Sequence, residues 1–207
     1  AFLAFPAAAQ EIPALPPPGL KLPHVVLMSM GGTSARKGDV RLNITNYGGP
    51  NMRVEPDEWV ADVPEVALVA RVTTEDFRAP QNAPGAPYEP GRTYENWYKV
   101  ARRLQEIAKD PTIDGVVVTH GINSMADTAW FMNLVVSIEK PVVFVGSQRP
   151  WTAMSGDGPL NLYNAIRVAA SPDAARKGVL HAMNQNVNAA RDVMKMSAYR
   201  METFQSV

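Results

Sequence analysis

The sequence predicts an α/β fold in which helices layer onto a mostly parallel sheet. Short runs that are apolar throughout recur along the chain, and segments with the three-to-four spacing of amphipathic helices separate them. Each run also ends in glycine or short polar residues, as in MGGTS, THGINS and VGSQRP. Strands that are apolar on both faces belong to parallel sheets covered by helices. A Rossmann-like or flavodoxin-like layering follows, in which ligands bind beyond the carboxyl ends of the strands.

Residues 1–9, AFLAFPAAA, are apolar, uncharged and end in small residues, and the chain opens on Ala1 rather than Met. This pattern predicts the remnant of a secretory signal with an A-x-A cleavage site, and hence a periplasmic or secreted protein. Residues 10–23 hold five prolines and are expected to form an extended tether. From His24 the run VVLMSM predicts the first strand, entering the turn GGTSA. Residues 38–57 are rich in Gly, Pro and Asn and show no sustained period, so a long loop is expected there. Ala67–Val72 reads as the second strand, and RAPQNAPGAPYEPGR as an irregular excursion.

Tyr94 to Lys109 carries apolar residues at Trp97, Tyr98, Val100, Ala101, Leu104, Ile107 and Ala108, which predicts an amphipathic helix stopped before Pro111. Gly115–His120 is the third strand, and Ser124–Ile138 a helix capped by Asn123 or, by preference, Ser124. Pro141–Gly146 is the fourth strand, Asn161–Ala170 the next helix with Asp157 as its expected cap, and Gly178–Met183 the fifth strand. Arg149-Pro150 reads as a structural turn, and Met194, Met196 and Met201 as packing surface.

Composition narrows the function. The 207 residues hold 20 Lys+Arg and 20 Asp+Glu, a formal net charge of zero, which leaves no overall field to hold nucleic acid or an anionic membrane. No run approaches the roughly 20 apolar residues of a membrane helix. The absence of cysteine removes thiolate chemistry, and the three histidines show no metal-ligand spacing, so neither cofactor nor metal is expected. At the first strand end, Gly31 and Gly32 let the backbone bend sharply while Thr33 offers a hydroxyl nucleophile. At the third, His120 is expected to be a buried, satisfied histidine rather than a general base.

MGGTSA, THGINSMADTAWF, VGSQRPWTAMSGDGPLNLYNAI and ARDVMKMSAYRMETFQS occur in this order, and with them the chain resembles the bacterial L-asparaginase/glutaminase family from about Pro23 to Val207. The resemblance implies the family's amino-terminal α/β domain and an amidohydrolase acting on a small linear amide. It implies that Thr33 is the nucleophile that forms an acyl-enzyme, that Tyr47 in NITNYGGP helps to activate it, and that Lys195 in ARDVMK is the lysine of the site. Gly32, Gly121, Thr74 and Glu75 fall where the family binds substrate, the last two in place of its Ser-Gln pair. The family's second motif reads T-H-G-T-D, so here Ile122 stands for its second threonine and Asn123 for its aspartate.

Two readings of that departure stand open. The site is retuned, either with the charge lost at Asn123 reappearing at Glu75 or with Ile122 favouring an amide that lacks the usual amino-acid head. Alternatively, the chain is a degenerate homologue that binds a small amide or amino acid without efficient turnover. The resemblance also implies a second, smaller domain beyond the carboxyl end of this chain and a tetramer of paired dimers.

Overall fold

The computed structural model describes residues 16, 19–48, 52–78 and 94–206. The expected leader at residues 1–9, most of the tether and most of the proline-rich excursion lie outside them. The main sheet contains β1 (His24–Ser29), β2 (Arg71–Asp76), β3 (Gly115–Thr119), β4 (Val142–Val145), β5 (Val179–Met183) and β6 (Asn186–Ala189). Its order is β2-β1-β3-β4-β5-β6, parallel from β2 to β5 and closed by antiparallel β6. Around it stand α1 (Pro56–Asp62), α2 (Tyr94–Lys109), α3 (Met125–Val135) and α4 (Gly158–Ala169). The short strands β7 (Val193–Lys195) and β8 (Phe204–Ser206) pair separately as an antiparallel ribbon. The expected mostly parallel α/β architecture is therefore what forms.

Strand alternation divides the core in two. Val26, Met28, Val116, Val118 and Phe144 face α2 and α3, while Val25, Leu27, Val117 and Val143 face α4 and the buried Trp59 of α1. Val100, Ala101, Leu104 and Ile107 are the buried stripe of α2, as its spacing predicted. These central strands have no solvent face, which is why they read as unbroken apolar runs.

The second strand forms four residues later than expected, at Arg71–Asp76. Pro64 opens a 3-10 turn that takes in Ala67 and Leu68, and the Arg71 N–H bonds to the Pro23 carbonyl at 2.8 Å to set the register. Because β2 is the sheet's edge, it tolerates the polar run TTED that central strands exclude. The loop expected to Asp57 instead yields to α1 at Pro56, a residue suited to a first helical turn, where Glu58 accepts from the Glu55 N–H at 3.0 Å. The hairpin between β5 and β6 turns through Asn184 and Gln185, both at positive φ.

The capping expectations need correction. Ser124 stands at the N-cap of α3 but makes no capping bond, and its hydroxyl is buried without a partner among the described residues. Asp157 stands at the N-cap of α4 without capping it; its carboxylate accepts from the backbone N–H groups of Gln148 at 2.8 Å and Arg149 at 3.0 Å. Met194 and Met196 are more than half exposed rather than packed.

Candidate active site

In a 2-1-3-4-5 sheet the chain leaves β1 toward one edge and β3 toward the other, so a crevice opens between their carboxyl ends. Three glycines bring the turns there into contact. Gly31 and Gly32 have φ of 93° and 96°, a region that side chains other than glycine rarely enter. A Cβ on Gly32 would stand 2.6 Å from the Gly121 backbone, so the turns after β1 and β3 touch main chain to main chain. A Cβ on Gly146 after β4 would meet the Ile122 side chain at 2.6 Å. Three successive strand ends thus close on one point.

Thr33 follows at once, 6% exposed, and opens a 3-10 turn. Its Oγ1 lies 2.9 Å from the Tyr47 hydroxyl, and either oxygen can donate. The chain between them is fastened rather than loose. The Lys37 N–H bonds to the Met52 carbonyl, the Gly48 N–H to the Lys37 carbonyl and the Gly38 N–H to the Thr152 hydroxyl. Opposite, the Lys195 ammonium on β7 donates to the Asn123 side-chain oxygen at 2.6 Å. Thr33, Tyr47, Ile122, Asn123 and Lys195 line one cavity of about 350 Å³.

Six further residues of its wall, Ile44, Thr45, Gln148, Arg149, Ala198 and Tyr199, were not singled out as site residues from the sequence. Gln148 and Arg149 lie just past β4, so the strand-end rule could have found them; Arg149 lines this cavity while its guanidinium donates to the Ser155 carbonyl and hydroxyl, holding the structural turn expected there. Tyr199 gave no signal, because the ribbon that carries it docks only in the folded chain. Two larger cavities, of about 770 and 810 Å³, contain none of the residues that the sequence singled out. His120 is 1% exposed, with its Nδ1 2.8 Å from the Gly121 carbonyl and its Nε2 3.1 Å from the Thr128 hydroxyl. It braces the β3 turn from behind.

Thr74 and Glu75 are not brought to this cavity. Alternation on β2 sends them to opposite faces of the sheet: the Thr74 hydroxyl donates to Asp57 of α1, and Glu75 accepts from Arg103 of α2. The Arg103 bonds to Glu75 span 2.7 to 3.1 Å and hold the guanidinium above its ordinary pKa. Burial would raise the carboxyl pKa of neighbouring Asp76, but hydrogen bonds from Arg78 outweigh it and hold Asp76 below its ordinary value. Arg78 in turn packs beneath Gly31, which ties the β1 turn to the end of β2.

Chemically, the arrangement offers a hydroxyl nucleophile, a phenol in contact with it and a cation across a small cavity. Among the described residues no cluster of His, Asp and Glu could hold a metal ion.

Comparisons with known proteins agree with this fold. Residues 24–207 match the family model described as asparaginase, N-terminal. The chain is 40% identical to a glutaminase-asparaginase of Pseudomonas fluorescens biotype A over 206 residues, 99% of this chain and 53% of that protein. It is 38% identical to L-asparaginase 2 of Escherichia coli (strain K12), covering 91% of this chain and 51% of that one. The crystal structure of a probable cytoplasmic L-asparaginase from Campylobacter jejuni superposes with a TM-score of 0.78 at 33% identity, over 89% of this chain and 53% of that one. The chain spans about half the length of the curated relatives it matches.

Proposed function

Given that the chain belongs to the asparaginase family, whose amino-terminal model it matches from residue 24 to residue 207, we propose that it carries the nucleophile of an amidohydrolase that converts a linear side-chain amide to the acid and ammonia. The observation that carries this reading is the 2.9 Å contact between Thr33 Oγ1 and the Tyr47 hydroxyl inside the cavity that Lys195 also lines. A neutral threonine is a weak nucleophile and needs a neighbouring proton acceptor. In the proposed sequence Thr33 Oγ1 attacks the amide carbon, and its proton passes by way of Tyr47 to the leaving nitrogen, which departs as ammonia. Water then hydrolyses the Thr33 ester, releasing the acid and restoring the hydroxyl. Backbone N–H groups of the glycine-bounded turns are the available donors for the oxyanion.

Ammonia release from a panel of linear amides, run on the intact protein and its Thr33→Ala variant, tests the proposal. Activity in the parent that Thr33→Ala removes supports it; activity that survives the substitution refutes Thr33 as nucleophile. A second reading, binding without turnover, draws on Ile122, which is 5% exposed and can neither donate a hydrogen bond nor relay a proton. Thermal stabilisation by amides without ammonia release would favour it.

Export and tetramer formation belong to the same reading of the whole protein. Amino-terminal sequencing of the product made in a bacterium tests the first, and light scattering of the intact protein the second.

A further inference from the structure

The ribbon of β7 and β8 joins the cavity to an ionisable group buried behind it. It forms a sheet of its own, in which Lys195 pairs with Phe204 and Val193 with Ser206. Directly paired residues of an antiparallel ribbon share a face, so these four side chains lie on one side and the exposed Met194 and Gln205 on the other. That inner face is seated at three points. Lys195 donates to the Asn123 side-chain oxygen at 2.6 Å, the Phe204 ring stands 4.2 Å from the His181 ring of β5, and the Ser206 hydroxyl donates to Asn188 at 2.6 Å. Asn188 is itself the β6 partner of His181. Both contacts of β8 therefore lead to the position of His181.

His181 is 0% exposed, beyond the reach of any further chain, and neither ring nitrogen has a hydrogen-bond partner. Its β4 neighbour is Phe144, and α4 packs on the other face of β5, against Leu180 and Ala182. The charged groups on the elements that cover it are Asp127 of α3 and Lys195 of β7, while β4, β6 and β8 carry none. Asp127 is exposed, as is Glu202 before β8, and Arg191 and Asp192 between β6 and β7 pair with each other. A proton on His181 would thus be a buried charge with no carboxylate to offset it. Burial accordingly pushes its pKa down to about 4. Of the elements around it the ribbon gives way first, because two short strands outside the main sheet hold little structure on their own.

We infer that His181 is a positioning residue for Lys195: while it is neutral Phe204 seats the ribbon and the lysine reaches Asn123, and its protonation releases the ribbon and withdraws the lysine from the site. This adds regulation by acid to the proposed hydrolysis, and its effect on turnover rests on that reading. Solvated in the released state, the imidazole titrates near 6.5, so the seated ribbon is fully favoured above that pH and loses about tenfold for each unit that pH falls toward 4.

The test follows the intact protein from pH 7 to pH 4.5 beside His181→Leu, which offers Phe204 an apolar partner that cannot titrate. Amide hydrogen exchange, corrected for its intrinsic pH dependence, should show protection in residues 193–206 of the parent falling by about 100-fold between pH 6.5 and pH 4.5, with β1, β3 and β4 unchanged and the variant level. Over the same range the parent's kcat/KM for the best amide of the panel should fall by about threefold or more relative to the variant, and return at pH 7. In Phe204→Ala, the His181 ring protons followed by NMR should titrate near the solvated value rather than near 4. A titration unmoved by that substitution, ribbon protection that falls equally in parent and His181→Leu, or central strands that open together with the ribbon overturns the inference and leaves the hydrolysis standing. Ribbon opening without loss of kcat/KM relative to the variant overturns the positioning of Lys195. Opening confined to the ribbon, with no ammonia from any amide at any pH, overturns the hydrolysis and supports the acid release.

Discussion

The turns after β1 and β3 are built alike and furnished differently. Each leaves a buried central strand through glycine, and Gly32 and Gly121 are in van der Waals contact, so neither backbone can move without the other. Yet the first turn delivers a hydroxyl in contact with a phenol, whereas the second delivers the branched hydrocarbon of Ile122 and the amide of Asn123. Backbone geometry and side-chain chemistry are thus separable. The main-chain contact fixes where a reacting group can sit, and one residue beyond each glycine decides what that group does. On the proposed reading the turn after β1 carries the nucleophile, while the turn after β3 presents neither a hydroxyl nor a charge at Ile122 and Asn123.

The comparison can be broken most directly at the first turn. Thr33→Ala should lower ammonia release by more than about 1000-fold while leaving the thermal midpoint within a few degrees, because the residue's place is set by backbone and its role is chemical. A loss of about 1000-fold is roughly 4 kcal/mol of transition-state stabilisation. Comparable activity in the variant would mean that the two turns differ in sequence but not in role.

The second expected effect separates the crevice from the core behind it. His181 of β5 is fully buried against the Phe204 ring at 4.2 Å, neither ring nitrogen has a hydrogen-bond partner among the described residues, and burial pushes its pKa down to about 4. In the unfolded chain the imidazole titrates near 6.5. The folded state holds it neutral, so its contribution is fully present above pH 6.5 and is lost as pH falls from 6.5 toward 4. The total is about 3 kcal/mol. The urea midpoint of the parent should fall relative to that of His181→Leu as pH drops from 7 to 4. Parallel curves would place the acid sensitivity elsewhere.

Gly32→Ala probes the main-chain contact itself. The new Cβ at 2.6 Å from Gly121, at a φ of 96°, should cost about 2 kcal/mol in a denaturation midpoint and reduce activity together with stability. A stable variant would show that the two turns are not locked. The smallest effect is expected at Ser124→Ala. Without a capping bond to lose, it should change stability by less than about 0.5 kcal/mol, against roughly 1 kcal/mol for a working cap.

Much of the fold was legible because burial on both faces leaves a signature in the residues themselves. β1, β3 and β4 have apolar centres and β5 is interrupted only by His181, and all four were found within a residue or two of their ends. β2 was misplaced because an edge strand with one neighbour carries polar residues, and Ala67-Leu68 entered a proline-led turn instead. α1, β6, β7 and β8 are short, and their stability comes from contacts with the rest of the chain rather than from a local period. The Thr33 and Tyr47 pairing was legible through the resemblance of the motifs and not through composition or spacing.

The sequence by itself determined the α/β class, the strand ends where chemistry belongs, the family and the departure at Ile122 and Asn123, since each is written in local residue types and their order. Only the tertiary structure decided which charged side chains line the described cavity. Glu75 stands in a motif suggestive of substrate binding, but strand alternation turns it toward α2, where Arg103 claims it. Arg149 reads as a turn residue, and its guanidinium does bond to Ser155, but the bend after β4 also makes it part of the wall of the cavity that Lys195 lines. Which charges meet depends on the face each side chain takes and on the partners it finds there, and residues far apart in the chain acquire those partners only when the sheet is assembled.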